Sequence, residues 1–341
     1  MNFAFTDEQL ALGATVRDVL RDACPPSALR ALSPPGASDL PGPAGPPGPP
    51  GGGRRPGWGP LAGLGFFGLL LPPEHDGLGL GLADVLPALE ETGRACLPGP
   101  VAETAVAAPF LVAGAPKLAS GEVSVSVLAP GQAYAADADL ADLIVVAGPD
   151  GTRLVAREAA RLTPRPGADP CRPLFAVAYE ESEPLDVPLA PALDRLTVAT
   201  AAQLVGVAKE LLAVSVAYAR VRTQFGAPIG SFQAVKHRLA DVAVAVEFAA
   251  PLVWRAALAL DGGAPTARRD VSAAKAAAGE AAVLAAGCAL QVHGAIGYTE
   301  ELDLRFWLAR AWSLAVAYGT SAAHRARLRA ALLGGDVRRW P

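Results

Sequence analysis

Residues 218–247 read YARVRTQFGAPIGSFQAVKHRLADVAVAVE. The run begins as the end of a helix, passes through Arg222 and Gln224, and turns tightly at Phe225-Gly226. Pro228 and Gly230 break the pattern before apolar residues resume at helical spacing. An arginine fork grips phosphate oxygens at two points, and a neighbouring amide adds directional hydrogen bonds. The turn therefore offers an anion site between two helices, against the plainer alternative of an exposed arginine. A second stretch, QVHGAIGYTEELDLRFWLAR at 291–310, puts Gln291 at a helix end ahead of Gly294 and Gly297. Glycines there let backbone approach a ligand closely, although they also simply end helices.

Outward from these two stretches the chain divides into three textures. From Leu193 on, long Ala/Leu/Val segments at helical spacing are interrupted at Pro228 with Gly230, Pro251, Gly262 with Gly263, and Gly294 with Gly297. Residues 192–341 are expected to form a C-terminal four-helix bundle. Between 119 and 191, SVSVLAP, LIVVAGPDGTRLVARE, FAVAYEE and LDVPL are short β-branched or alternating runs, with PDGT as a hairpin signal. They form a small middle β domain. Residues 1–118 are an N-terminal helical domain whose first helix is capped by Thr6, with Asp7 and Glu8 in its first turn. Within that domain PPGASDLPGPAGPPGPPGGGRRPGWGP, residues 34–60, is a Pro/Gly-rich surface loop, because proline lacks a donor and glycine costs backbone entropy. The fold class is α+β, mostly α.

Composition narrows the function. The chain has 341 residues, 52% of them hydrophobic, and a net charge of −4 with no basic block, which argues against nucleic acid. There is no uninterrupted apolar run of roughly 18 residues and no basic-then-apolar leader, so a cytoplasmic chain without a membrane span is expected. The four cysteines are far apart and form no CxxC pair, so neither a metal site nor a disulfide framework is expected.

Together the two C-terminal stretches resemble the acyl-CoA dehydrogenase family. Arg222, Gln224, Phe225 and Gly226 match its R-x-Q-F-G turn, followed by Pro228-Ile229 and Phe232-Gln233. Gln291, Gly294, Gly297 and Tyr298 match its Q-x-x-G-G-x-G-Y, with Ala295 replacing one glycine. The N-terminal LAGLGFFGLLLPPEHDGLGLGLADVLPALEETGR is also similar to the family pattern. The resemblance implies FAD shared between neighbouring subunits and held by Arg222, Gln224, Phe225, Gln291 and Gly294. It further implies removal of an α-proton from an acyl-CoA or acyl-carrier thioester while a β-hydride passes to the flavin. The implied partners are an electron-transfer flavoprotein and either a homo-oligomer or a second acyl-CoA dehydrogenase subunit.

The family's commonest base is the glutamate of a Y-E-G-T-S segment. Here that run is Ala317-Tyr318-Gly319-Thr320-Ser321, so Tyr318 stands in the glutamate's position, while Thr320 keeps the family's flavin-contacting threonine. A neutral tyrosine, with a pKa of roughly 10, is a poor base for a thioester α-proton. A minority of the family carries the base before the R-x-Q-F-G turn, in a segment similar to Leu193-Asp194-Arg195-Leu196. That makes Asp194 the candidate base; its alternative is a helix N-cap. Glu247 has a structural counterpart in the family. His237 reads as an exposed helix residue, and His324 falls where relatives carry glutamine near the flavin adenosine. Ala129-Pro130-Gly131-Gln132 replaces the family's flavin-ring segment.

Three functions stay open. One is α,β-dehydrogenation of an acyl thioester by this chain. Another is a catalytically silent subunit that completes a partner's flavin site. The last is a flavoprotein of this fold with monooxygenase or carrier-linked tailoring chemistry.

Overall fold

The computed structural model describes residues 4–33, 55–148 and 151–334. The N-terminal region is helical: α1 (Asp7–Ala23), α2 (Pro26–Leu32), α3 (Trp58–Gly63) and α4 (Leu82–Arg94), then a π-helical turn Glu103–Ala107 that runs into α5 (Ala108–Leu111). Thr6 caps α1 as expected, in a reciprocal capping box with Gln9. Of the Pro/Gly-rich loop, residues 34–54 lie outside the described residues. Its final part is not a surface loop, because Trp58 opens α3 and is fully buried. The indole stacks on Phe67 and donates to the Gly121 carbonyl at 2.8 Å, an anchor that the surrounding glycines and prolines concealed.

The middle region holds β1 (Val125–Leu128), β2 (Ala135–Ala136), β3 (Leu143–Gly148), β4 (Gly151–Ala156), β5 (Ala160–Arg165), β6 (Leu174–Tyr179) and β7 (Glu183–Pro184). They form one sheet in the order β1-β3-β4-β7 and another in the order β2-β6-β5. Between the sheets sits a small core around Ile144, Val155 and Phe175. Strands β3 and β4 pair antiparallel up to Gly148 opposite Gly151, while Pro149 and Asp150 of the hairpin signal lie outside the described residues.

Five helices follow: α6 (Leu189–Val221), α7 (Gln233–Asp261), α8 (Ala267–His293), α9 (Leu304–Val316) and α10 (Ser321–Leu332). A short hairpin, β8 (Thr223–Gln224) and β9 (Ala227–Pro228), joins α6 to α7. Pro191 falls in the first turn of α6, where its missing donor costs nothing, and α7 runs on through Pro251. By length and composition α7, and α8 with the turn after it, are apolar enough to cross a membrane, which the search for one unbroken apolar run overlooked. Both pack into the bundle, and α8 buries Asp270 and Lys275 within it. Their alanine-rich faces serve close helix contact.

Helices α4 and α6 cross at close range. A Cβ added to Gly93 would sit 2.1 Å from the Gln203 carbonyl oxygen, and one added to Gly206 would sit 2.0 Å from that of Glu90. Bare backbone at both positions lets the N-terminal region lie directly on the bundle.

Candidate functional site

The turn between α9 and α10 carries Tyr318, which the resemblance aligns with the family's glutamate. Tyr318 and Gly319 both take positive φ, 54° and 105°, and Thr320 then caps α10 by accepting from the Ala323 amide at 3.2 Å. Positive φ is strained for tyrosine, so the surroundings must hold it there. Three contacts do so. The Tyr318 hydroxyl donates to Glu103 Oε1 at 2.5 Å, and the ring is only 3% exposed. His324 meets the Tyr318 carbonyl through Nε2 at 2.9 Å. Lys275 Nζ donates to the carbonyls of Ala315 and Gly319 at 3.0 and 3.1 Å.

These groups are titratable, and burial dominates their behaviour. Burial, with the nearby Glu103 charge, pushes the Tyr318 phenol well above its ordinary range, so it remains a neutral donor. Burial and the Arg172 charge push Lys275 down to about 7. Burial pushes His324 down to about 4, which keeps the imidazole neutral at physiological pH. Arg172 lies 3.8 Å from Glu103 and donates to Ser313 at 3.3 Å. Asp137 is buried in the same region, and desolvation raises its carboxyl well above the usual range. The junction of the three regions is thus filled by the chain's own polar side chains.

Asp194 sits nearby but is engaged elsewhere. It lies inside α6 rather than at its N-cap, because the helix already begins at Leu189. Its carboxylate pairs with Arg268 at 3.2 Å and Arg327 at 3.8 Å. Burial raises its pKa, and the two arginines pull it back in part. Arg327 is three residues from His324 on α10, so Asp194 and the Tyr318 carbonyl are addressed by one helix face.

The flavin-type motifs gather at the other end of the bundle. Phe225 and Gly226 take φ of 52° and 78° in a two-residue hairpin, the requirement of a type I′ turn. The Ile229 amide closes the loop on the Arg222 carbonyl at 2.8 Å. Arg222 and Gln224 are exposed, and Phe225 at the tip is 94% exposed. Gln291 is exposed near the end of α8, and Gly294 takes φ 64° and ψ −141°, a region closed to residues with a Cβ. Tyr218 stacks on His293 at 4.3 Å and so joins the two motif ends.

Along α8, sixteen residues separate Lys275 from Gln291, roughly 24 Å of helix. Thr320 therefore lies far from Arg222 and Gln291 within one chain. The exposed guanidinium, the amide and the glycine-only backbone suit the pyrophosphate side of FAD. The ring side is poorer: Gln132 turns its oxygen onto the Ala129 amide at 3.2 Å. Of the other residues weighed from sequence, His237 and Glu247 are exposed. His324, expected near the adenosine, is wholly buried beneath Tyr318 instead.

Glu103, Arg172 and Lys275 were not singled out from the sequence. Each is an isolated charge in an apolar or irregular run, and only that isolation marked them.

Residues 190–333 match the family described as "Acyl-CoA dehydrogenase, C-terminal domain". The chain is 38% identical over 261 residues to acyl-CoA dehydrogenase IpdE2 of Mycobacterium tuberculosis, covering 73% of this chain and 77% of that protein. Among solved structures, a glutaryl-coenzyme A dehydrogenase in complex with glutaryl-CoA superposes with a TM-score of 0.81 at 21% identity, covering 100% of this chain and 98% of that one. A Tcur3481–Tcur3483 steroid acyl-CoA dehydrogenase variant gives 0.80 at 23% identity, covering 96% and 98%. At those identities the superpositions speak to the fold, while the sequence relative speaks to descent. The chain belongs to the acyl-CoA dehydrogenase family of flavoprotein oxidoreductases.

Proposed function

We propose that this chain is one subunit of an acyl-CoA dehydrogenase assembly that oxidises an acyl-CoA thioester at its α,β bond. In that assembly Arg222, Gln224 and Phe225, with Gln291 and Gly294, form the pyrophosphate edge of an FAD site completed by a neighbouring subunit. The bound flavin supplies the electron sink for the β-hydride, and an electron-transfer flavoprotein carries the electrons onward. The protein's part is to bind and orient the cofactor and to keep water from the thioester. The assembly works in the cytoplasm.

One observation carries this reading: the base position holds a sealed tyrosine, while the pyrophosphate-type motifs at the far end of the bundle stand open. In its resting state the chain offers its usual site no free carboxylate, yet it keeps the edge that a neighbour's flavin would need. The paired name of the steroid-type structural neighbour is in keeping with a two-subunit organisation.

The test is an anaerobic absorbance titration with a panel of acyl-CoAs. The purified chain is measured alone and mixed with an acyl-CoA dehydrogenase subunit that carries the Y-E-G-T-S glutamate. Flavin retention and bleaching are expected in the mixture. Rapid bleaching in this chain alone, matching the mixture, would overturn the assignment.

A further inference from the structure

The carboxylate missing from position 318 is not missing from the space that position addresses. Tyr318 reaches across the junction and ends on Glu103, which arrives from the N-terminal region on the π-helical turn. Such turns bulge a helix by one residue and often carry functional groups. We propose that, within the dehydrogenase reading above, Glu103 is the carboxylate that takes the thioester α-proton, and that Tyr318 is a gate covering it until an acyl group displaces the phenol.

The geometry supports both roles. Because the hydroxyl lies 2.5 Å from Glu103 Oε1, an atom that takes the hydroxyl's place is within proton-transfer reach of that oxygen. The ion pair with Arg172 keeps the Glu103 charge matched once the hydroxyl has left. The gate has a hinge, since the strained Tyr318 is followed by Gly319, which lacks a Cβ and can change its φ once the Lys275 bond to its carbonyl lets go. Asp194, the competing carboxylate, is held between Arg268 and Arg327. In the step itself the Cα–H bond breaks and the proton goes to a Glu103 oxygen. The electron pair stays on the α-carbon and delocalises into the thioester carbonyl. Return of a proton restores the thioester, so exchange at the α-carbon requires no oxidant.

The full-length chain, with no flavin or partner added, is incubated in D2O with butyryl-CoA or octanoyl-CoA. Deuterium entering the α-position is read by mass spectrometry. Slow exchange is expected in the unaltered protein. Tyr318→Ala is expected to raise it by on the order of 10²-fold. Glu103→Gln and the double variant should fall to the buffer rate, with calorimetric thioester affinity retained in the double variant. If the double variant exchanges as fast as Tyr318→Ala, another group is the base and the proposal fails. It also fails if Tyr318→Ala exchanges neither thioester above the buffer rate. Should Tyr318→Ala prove unfolded by circular dichroism, Tyr318→Phe keeps the ring and loses only the donor. A Glu103-dependent rise is expected there too, and its absence overturns the gate. Because the assay involves neither flavin nor partner, its failure is distinct from failure of the flavin-edge assignment.

Discussion

Tyr218 stacks on His293 with ring centroids 4.3 Å apart, tying the end of α6 to the end of α8. Arg222 follows one turn after Tyr218, and Gly294 follows His293 directly, so this stack fixes the spacing of the two flavin-type motifs. On the pyrophosphate role proposed for Arg222, its change to Ala is expected to lower FAD affinity about tenfold or more, the worth of a charge-assisted contact of about 1.5–3 kcal/mol. Tyr218→Ala is expected to weaken FAD less, by loosening the spacing. Fluorescence titration of the flavin-free assembly measures both; unchanged affinity in Arg222→Ala would remove the pyrophosphate role.

Lys275 predicts a pH slope. Its folded pKa is about 7, against 10.5 for an unburied lysine. Between those values the unfolded chain holds a proton that the folded chain has shed, so stability rises with pH there. The burial penalty is full below about 7 and is relieved as pH climbs. Over pH 7–9 the unaltered protein should gain stability relative to Lys275→Met, by up to about 1.4 kcal/mol per pH unit. Urea midpoints across that range test it, and parallel lines for the two proteins would contradict it.

Asp194 separates an ion-pair role from a catalytic one. Replacing it with Asn removes the charge shared by Arg268 and Arg327 and is expected to cost about 2 kcal/mol of stability. Flavin reduction by the assembled protein should continue. A variant with unchanged melting and no reduction would instead make Asp194 the base.

The crossing of α4 and α6 predicts a sharp asymmetry between two glycines. Gly206→Ala forces a methyl to within 2.0 Å of the Glu90 carbonyl oxygen and should cost about 2 kcal/mol or more. Gly287, on the exposed side of α8, has nothing within 4 Å of its added Cβ. Its change to Ala should stabilise by up to about 1 kcal/mol through helix propensity. Equal midpoints for the two variants would refute the close crossing.

How much of this was legible beforehand depended on the range of the cause. The Phe225-Gly226 turn, the Thr6 cap and the bundle helices are set by neighbours a few residues away, and the sequence displayed them. The buried Trp58 was hidden because the carbonyl that accepts from its indole, Gly121, lies 63 residues along the chain and its own neighbourhood is proline and glycine. Glu103 was hidden for the same reason, since its hydroxyl partner lies 215 residues along the chain. Asp194 was legible as a candidate, but the two arginines that engage it come from α8 and α10. No local pattern links them.

Arg310 on α9 is buried and donates to three places at once: Asp169 in the middle region, the Cys171 carbonyl at 3.2 Å, and the Leu97 carbonyl of the N-terminal region at 2.9 Å. A fragment limited to residues 190–333 would lose all three of those partners and uncover the face of α9 that they bury. Neither the helices nor the sheets can therefore melt at leisure while the remainder stays native. Cooperativity is written into a single side chain, and calorimetry of the intact protein should record one transition rather than three.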